Sequence, residues 1–128
     1  MAERCAVVGI GMTKMAKCRD DLSMAGLVRE AALRALADAG LAIGDVDVVT
    51  THNPFAVNDV WFAQRTGFAL ERMNPSGCSL VYGHPQGPTG LRAIAELVDA
   101  LVRRGGGTGV FTGCAAGDTG AAVVVRVE

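Results

Sequence analysis

The sequence predicts an α/β protein: one domain of three layers, helix on sheet on helix, built on a five-stranded mixed sheet. Three observations carry this. Short apolar runs alternate with segments of helical periodicity three times along the chain, the pattern of right-handed crossovers between parallel strands. The last two apolar runs are joined by a short glycine-rich segment, too short for a crossover, so they form an antiparallel pair. Half of the residues are hydrophobic yet only 5% are aromatic, and the 17 glycines are scattered among Ala and Val, a composition that suits close packing of helices on a sheet.

The elements follow in order. Arg4 to Ile10 is a β-branched run ending at glycine and reads as a buried strand. Asp20, Asp21 and Ser23 offer N-cap chemistry to a helix whose stripe is Leu27, Val28, Ala31, Ala35 and Leu36, with Gly40 placed to end it. Val46 to Thr51 is the second strand, and Pro54 can open a helix that runs toward Gly67. Ser76 to Tyr82 reads as a third strand, Gly83 to Gly90 as a rigid corner, and Leu91 to Arg104 as a helix. Thr108 to Thr112 and Ala121 to Val127 complete the sheet.

At 128 residues the chain suffices for a single domain, 1–128, with a core that needs neither disulfides nor metal. Twelve basic against thirteen acidic residues, with no basic cluster beyond Arg103 and Arg104, give no electrostatic footprint for nucleic acid or anionic lipid. Cys5, Cys18, Cys78 and Cys114 lack CxxC spacing and a companion histidine at a ligand distance, which argues against zinc and against a thioredoxin-like redox pair. No run reaches the length of a membrane span, and Glu3 and Arg4 stand where a secretory segment would be apolar. The expected setting is the cytoplasm with reduced thiols.

In parallel sheets the carboxyl ends of strands supply the loops that hold ligands. His52, His84 and Cys114 all fall at such ends, a constellation of a thiol and two imidazoles. Each also has a bland reading: hydrogen-bonded structural histidines, a rigid turn at Gly83-His84-Pro85, and a small buried thiol.

The segment NPSGCSLVYGHPQGPTGLR, Asn74 to Arg92, is similar to the thiolase stretch NxxGGxxxxGHPxGxxGxR. Thirty residues beyond His84, GCAAGDTGAAVVV resembles that family's CxGGGxGxAxxx motif, and 32 residues before it HNPFA falls on NEAF, which in sterol-carrier-type thiolases is HDCF. The chain thus resembles the carboxyl-terminal domain of a thiolase, from residue 46 to 128 by motif and from 4 to 45 by pattern. The resemblance implies a thiolase half-fold with strand order 3-2-4-5-1, strand 5 antiparallel. It implies that His84 activates a nucleophilic cysteine, that Cys114 is the acid/base for the α-carbon of an acyl-CoA, and that His52 holds a water of the oxyanion site. It places the N–H of Ala116 at a second oxyanion hole and calls for no cofactor or metal, only acyl-CoA and CoA as substrates.

The family's nucleophilic cysteine belongs to its amino-terminal half, and Cys78 falls within a strand on the second glycine of the motif. The resemblance therefore implies the acid/base half of an acyl-CoA acyltransferase, inactive alone and paired with an amino-terminal-half subunit. Association is also expected from the helix over 91–104, whose Leu91, Leu97 and Leu101 belong to an apolar surface spread around most of its circumference, so that self-association through it is the other candidate. The alternatives are a non-catalytic interaction or regulatory domain and, last, a thioesterase or lyase with Cys114 as nucleophile, which lacks an evident base beside the thiol.

Overall fold

A computed structural model describes residues 4–128, so Glu3 lies outside the described residues. Strand β1 (Cys5–Met12) extends two residues past the predicted end. Helix α1 (Met24–Asp38) starts where the sequence indicates: Ser23 is the N-cap and its hydroxyl accepts the N–H of Gly26 at 3.2 Å. Its predicted stripe is buried, and Gly40 leaves the helix at φ +68°. A single 3₁₀ turn (Ile43–Asp45) then delays strand β2 to Val48–Thr51, all four residues of which are buried. Helix α2 (Ala56–Thr66) ends on Gly67 in the left-handed region, φ +74°.

The segment predicted as a third strand is not one. Gly77 turns the chain at φ +102°, and Ser79–Tyr82 coils into one helical turn, α3. Leu80, Val81 and Tyr82 are all exposed, so no buried face is available to hold this run extended. Where a fifth strand would flank β2 there is a single parallel bridge, Met73 to Val49. The Asn74 N–H donates to the Val49 carbonyl at 2.8 Å, and the Asn74 side-chain oxygen accepts the Thr51 N–H at 2.8 Å, replacing the next ladder carbonyl by an amide.

Helix α4 (Thr89–Arg103) begins inside the predicted corner, and β3 (Gly107–Ala115) and β4 (Thr119–Val127) form the antiparallel pair. The sheet has four strands in the order β1-β4-β3-β2, with β2 parallel to β3. This is the implied order with its third strand reduced to the Met73 bridge. Helix α1 packs Ala31, Ala35 and Leu36 on Val49, Val110 and Val124 of one sheet face. On the opposite face Leu97 and Leu101 of α4 meet Val48, Val125 and Val127. Three layers result.

The α1 face comes unusually near β1, because Gly9 and Gly11 present hydrogen to the helix. A Cβ on Gly11 would overlap the Ala35 nitrogen and the Ala31 carbonyl, backbone atoms that cannot swing aside. We expect Gly11→Ala to destabilise the chain by about 1–3 kcal/mol through overpacking, read as a lower urea midpoint. Gly44→Ala, where an added Cβ meets nothing within 4 Å, should leave the midpoint nearly unchanged.

Candidate active site

Three strand or loop ends converge at one edge of the sheet. The parallel register pairs Thr51 with Thr112, so the next residues along, His52 and Gly113, lie side by side and Cys114 follows. Gly113 is required at this spot, since a Cβ there would stand 2.9 Å from His52 Nδ1 and 3.4 Å from its Cγ. With that space open, the imidazole rests against β3 and its Nε2 comes to 3.4 Å from Cys114 Sγ. His84 follows Gly83, at φ +78°, in the exposed corner before α4. Its Nδ1 pairs with the buried Thr89 hydroxyl at 3.1 Å, and its ring lies 5.2 Å from that of His52, tilted by 59°.

All three predicted side chains therefore meet. They border two adjoining concavities, of about 280 and 540 Å³, which also share Gln86 and Ala115. Met12, Phe111 and Thr89 wall the first, and Met24, Phe55 and the Ala116–Asp118 turn wall the second. Ala116 sits on that turn outside the left-handed region, which is adopted by Gly117 (φ +79°) and Asp118 (φ +52°) instead, so alanine is tolerated there without strain.

No base beside Cys114 is evident in the sequence; the structure supplies one, His52. The pair is nevertheless poorly suited to nucleophilic attack. Burial pushes the Cys114 thiol pKa up, and burial, aided by the positive charge that His84 can carry, pushes His52 down. Among the described residues His52 Nδ1 is buried with no hydrogen-bond partner, so none of them is placed to hold an imidazolium formed at Nε2. The resting pair is a neutral thiol against a neutral imidazole. Such a thiol, once deprotonated, is a stronger base than an ordinary thiolate, which favours taking a proton from carbon.

Residues 6–127 match the family profile described as "Thiolase, C-terminal domain". The chain belongs to the thiolase family. A 3-ketoacyl-CoA thiolase of Shewanella sediminis is 40% identical over 111 residues, covering 73% of this chain and 26% of the relative. One from Alteromonas mediterranea is 34% identical over 111 residues, with the same coverage. The crystal structure of human mitochondrial 3-ketoacyl-CoA thiolase superposes with a TM-score of 0.81 at 31% identity, over 94% of this chain and 29% of that one. The chain spans about a quarter of the length of the curated relatives it matches.

Within this thiolase domain Cys114 alone among the four cysteines borders either of the two concavities. Cys5 and Cys18 are exposed elsewhere; Cys78 is buried at the start of α3, behind Asn53, rather than in a strand. Sequence reasoning passed over Thr89, which holds His84, and a buried polar group behind His52 made by Thr51, Asn53, Asp59 and Asn74. One signal was available: Asp59 shares the inward face of α2 with Phe62, three residues on, and these are the two buried positions of that helix.

A histidine whose folded pKa lies below its unfolded value adds its full stability above the unfolded value, and loses it as pH falls toward the folded one. We therefore expect the urea midpoint to fall as pH drops below the ordinary histidine range, and His52→Asn to lack this part of the slope. Gly113→Ala should displace the imidazole, and the NMR titration of His52 should then move up toward the ordinary histidine value.

Proposed function

We propose that this chain is the acid/base half of a thiolase-type acyl-CoA acyltransferase, and that a second chain or segment supplies the nucleophilic cysteine. The observation that carries this is the meeting of Cys114, His52 and His84 at one open edge, where the only thiol among the described residues is a half-buried one whose pKa burial raises. His84 takes the proton of the incoming nucleophilic thiol through Nε2, since Nδ1 is engaged by Thr89, and then donates to the thioester oxygen. Cys114 withdraws the α-proton of the second acyl-CoA in condensation, or protonates the enolate in cleavage. His52 holds the water of the first oxyanion site, and the Ala116 N–H serves the second. No metal or cofactor is invoked. Four unpaired cysteines suit a reducing compartment such as the cytoplasm.

The exposed apolar surface supports a partner beside α4. Val7 and Ile10 of β1 pair across the sheet with Val125 and Val123, residues packed on the α4 side, so all four share that face. Val7 and Ile10 are nonetheless 62% and 64% exposed, and Leu91, at the start of α4, is 73% exposed. A thiolase amino-terminal half seated there would cover this surface and bring its cysteine to the edge that holds His84. Leu97 and Leu101, which the sequence offers as association sites, are completely buried in the chain's own core and serve folding instead.

Alone, the chain should give no acyl adduct with acetyl-CoA by intact-mass analysis. Mixed with a thiolase amino-terminal half, it should catalyse thiolysis, and His84→Ala or Cys114→Ala should each lower kcat about 10²- to 10⁴-fold, whereas Cys5→Ala and Cys18→Ala should not. Activity that survives Cys114→Ala sinks the acid/base assignment; stoichiometric acylation of Cys114 in the isolated chain sinks the need for a second nucleophile. Ile10→Glu or Leu91→Glu should weaken the complex in light scattering while leaving the fold intact.

A further inference from the structure

His52 presents a problem of placement. Among the described residues its ring has one hydrogen-bond contact, Cys114, and its Nδ1 has none, so the ring's own hydrogen bonds do little to orient it. The β2 ladder has also ended at Thr51. What fixes the imidazole must act on the backbone around it.

A single carboxylate does so. Asp59, on the inward face of α2 and 7% exposed, accepts the Thr51 hydroxyl at 2.8 Å on one oxygen. Its other oxygen accepts the side-chain amides of Asn53 and of Asn74, the latter at 2.7 Å. Asn74 in turn takes the Thr51 N–H with its amide oxygen and donates to the Thr51 hydroxyl at 3.0 Å. The residues before and after His52 are thus both tied to Asp59, and Asn53 is held in a left-handed turn, φ +24°. No cation pairs with Asp59 among the described residues. A buried carboxylate satisfied only by neutral donors is costly for folding, and its pKa is pushed up by burial against the pull of those donors. Simple packing would be served better by an apolar side chain, so the carboxylate's contribution is geometric.

We propose that Asp59 is the positioning residue of the site: by gripping Thr51 and Asn53 it presses the His52 ring onto Gly113 and aims Nε2 at Cys114. The catalytic meaning of the grip rests on the proposed function, whereas the grip itself is measured on the chain alone, without substrate or partner.

The chain has two histidines, so ¹³C-histidine labelling gives two ring Cε1–H signals, assigned with His84→Asn. In Asp59→Ala the His52 titration should move up toward the ordinary histidine value as the ring is released. Alkylation of the uncovered Cys114 by iodoacetamide at pH 8 should quicken by about threefold or more, with Cys18 unaffected. Asp59→Asn can still accept both asparagine amides on its oxygen and donate to the Thr51 hydroxyl, so it should restore both readouts to within about twofold of the parent. Should Asp59→Ala not fold, Asn53→Gly decides the matter: it keeps the left-handed turn but drops one grip, and should shift both readouts the same way by less. A folded Asp59→Ala or Asn53→Gly with His52 and Cys114 behaving as in the parent overturns the proposal, as does a fall in melting temperature alone. Failure of the amino-terminal half to restore thiolysis would leave these readouts untouched and count only against the proposed reaction.

Discussion

The parallel pairing of β2 with β3 is the constraint on which the site depends. With Thr51 set opposite Thr112, the chain leaves β2 beside Gly113, whose missing Cβ makes room for the imidazole. Because side chains alternate along a strand, a slip of β2 by one residue would turn its side chains to the other sheet face and set His52 beside Thr112 or Cys114 instead of Gly113. Val49 and Val110, buried neighbours in the same register under α1, make such a slip costly. Core packing and site assembly are therefore one problem with one solution, since the cluster built from the hydrophobic stripe of α1 is also the one against which Cys114 packs.

The electrostatics of the site follow from the same burial. Cys114 and His52 are each shifted toward the uncharged form, and neither rescues the other, because among the described residues no group is hydrogen-bonded to His52 Nδ1. A cysteine–histidine contact is usually read as a nucleophile and its base, yet the environment here makes charge separation expensive. Proximity and reactivity are separate questions. Only the first was open to inspection of the sequence, and even there the neighbour of Cys114 emerged from the fold.

Most of the fold was legible in the sequence where local chemistry and tertiary packing agree. Ser23, the stripe from Leu27 to Leu36 and Gly40 specify α1 independently of anything else, and the helix lies where they put it. The run from Ser76 to Tyr82 misled because its apolar content suggested a strand, whereas strand formation needs a buried face, and Leu80, Val81 and Tyr82 have none. In α4 the reverse occurred: apolar residues around the circumference were readable, but which of them the sheet covers was not, and Leu97 and Leu101 lie on the covered side. At the site, His52, His84 and Cys114 were visible as reactive types in recognisable motifs. Asp59 and Thr89 were not, since each acts through hydrogen bonds across a turn of the chain, Thr89 to His84 and Asp59 to Thr51, Asn53 and Asn74, and no local pattern announces such pairs.

The substitution of Asn74 for a fifth strand bears on how this sheet can and cannot grow. Along the outer side of β2, the Val49 carbonyl and the Thr51 N–H are already occupied by Asn74. Along the outer side of β1, the Ile10 N–H donates to the Asp38 carboxylate at 3.0 Å and the Met12 carbonyl accepts from Arg34 at 3.3 Å, both from α1. Each rim is interrupted by side-chain groups at the points where an incoming strand would need free backbone. Sideways extension into a continuous intermolecular sheet is thereby discouraged, so that a chain with considerable exposed aliphatic surface is steered away from fibril-like stacking and toward contacts made through its faces.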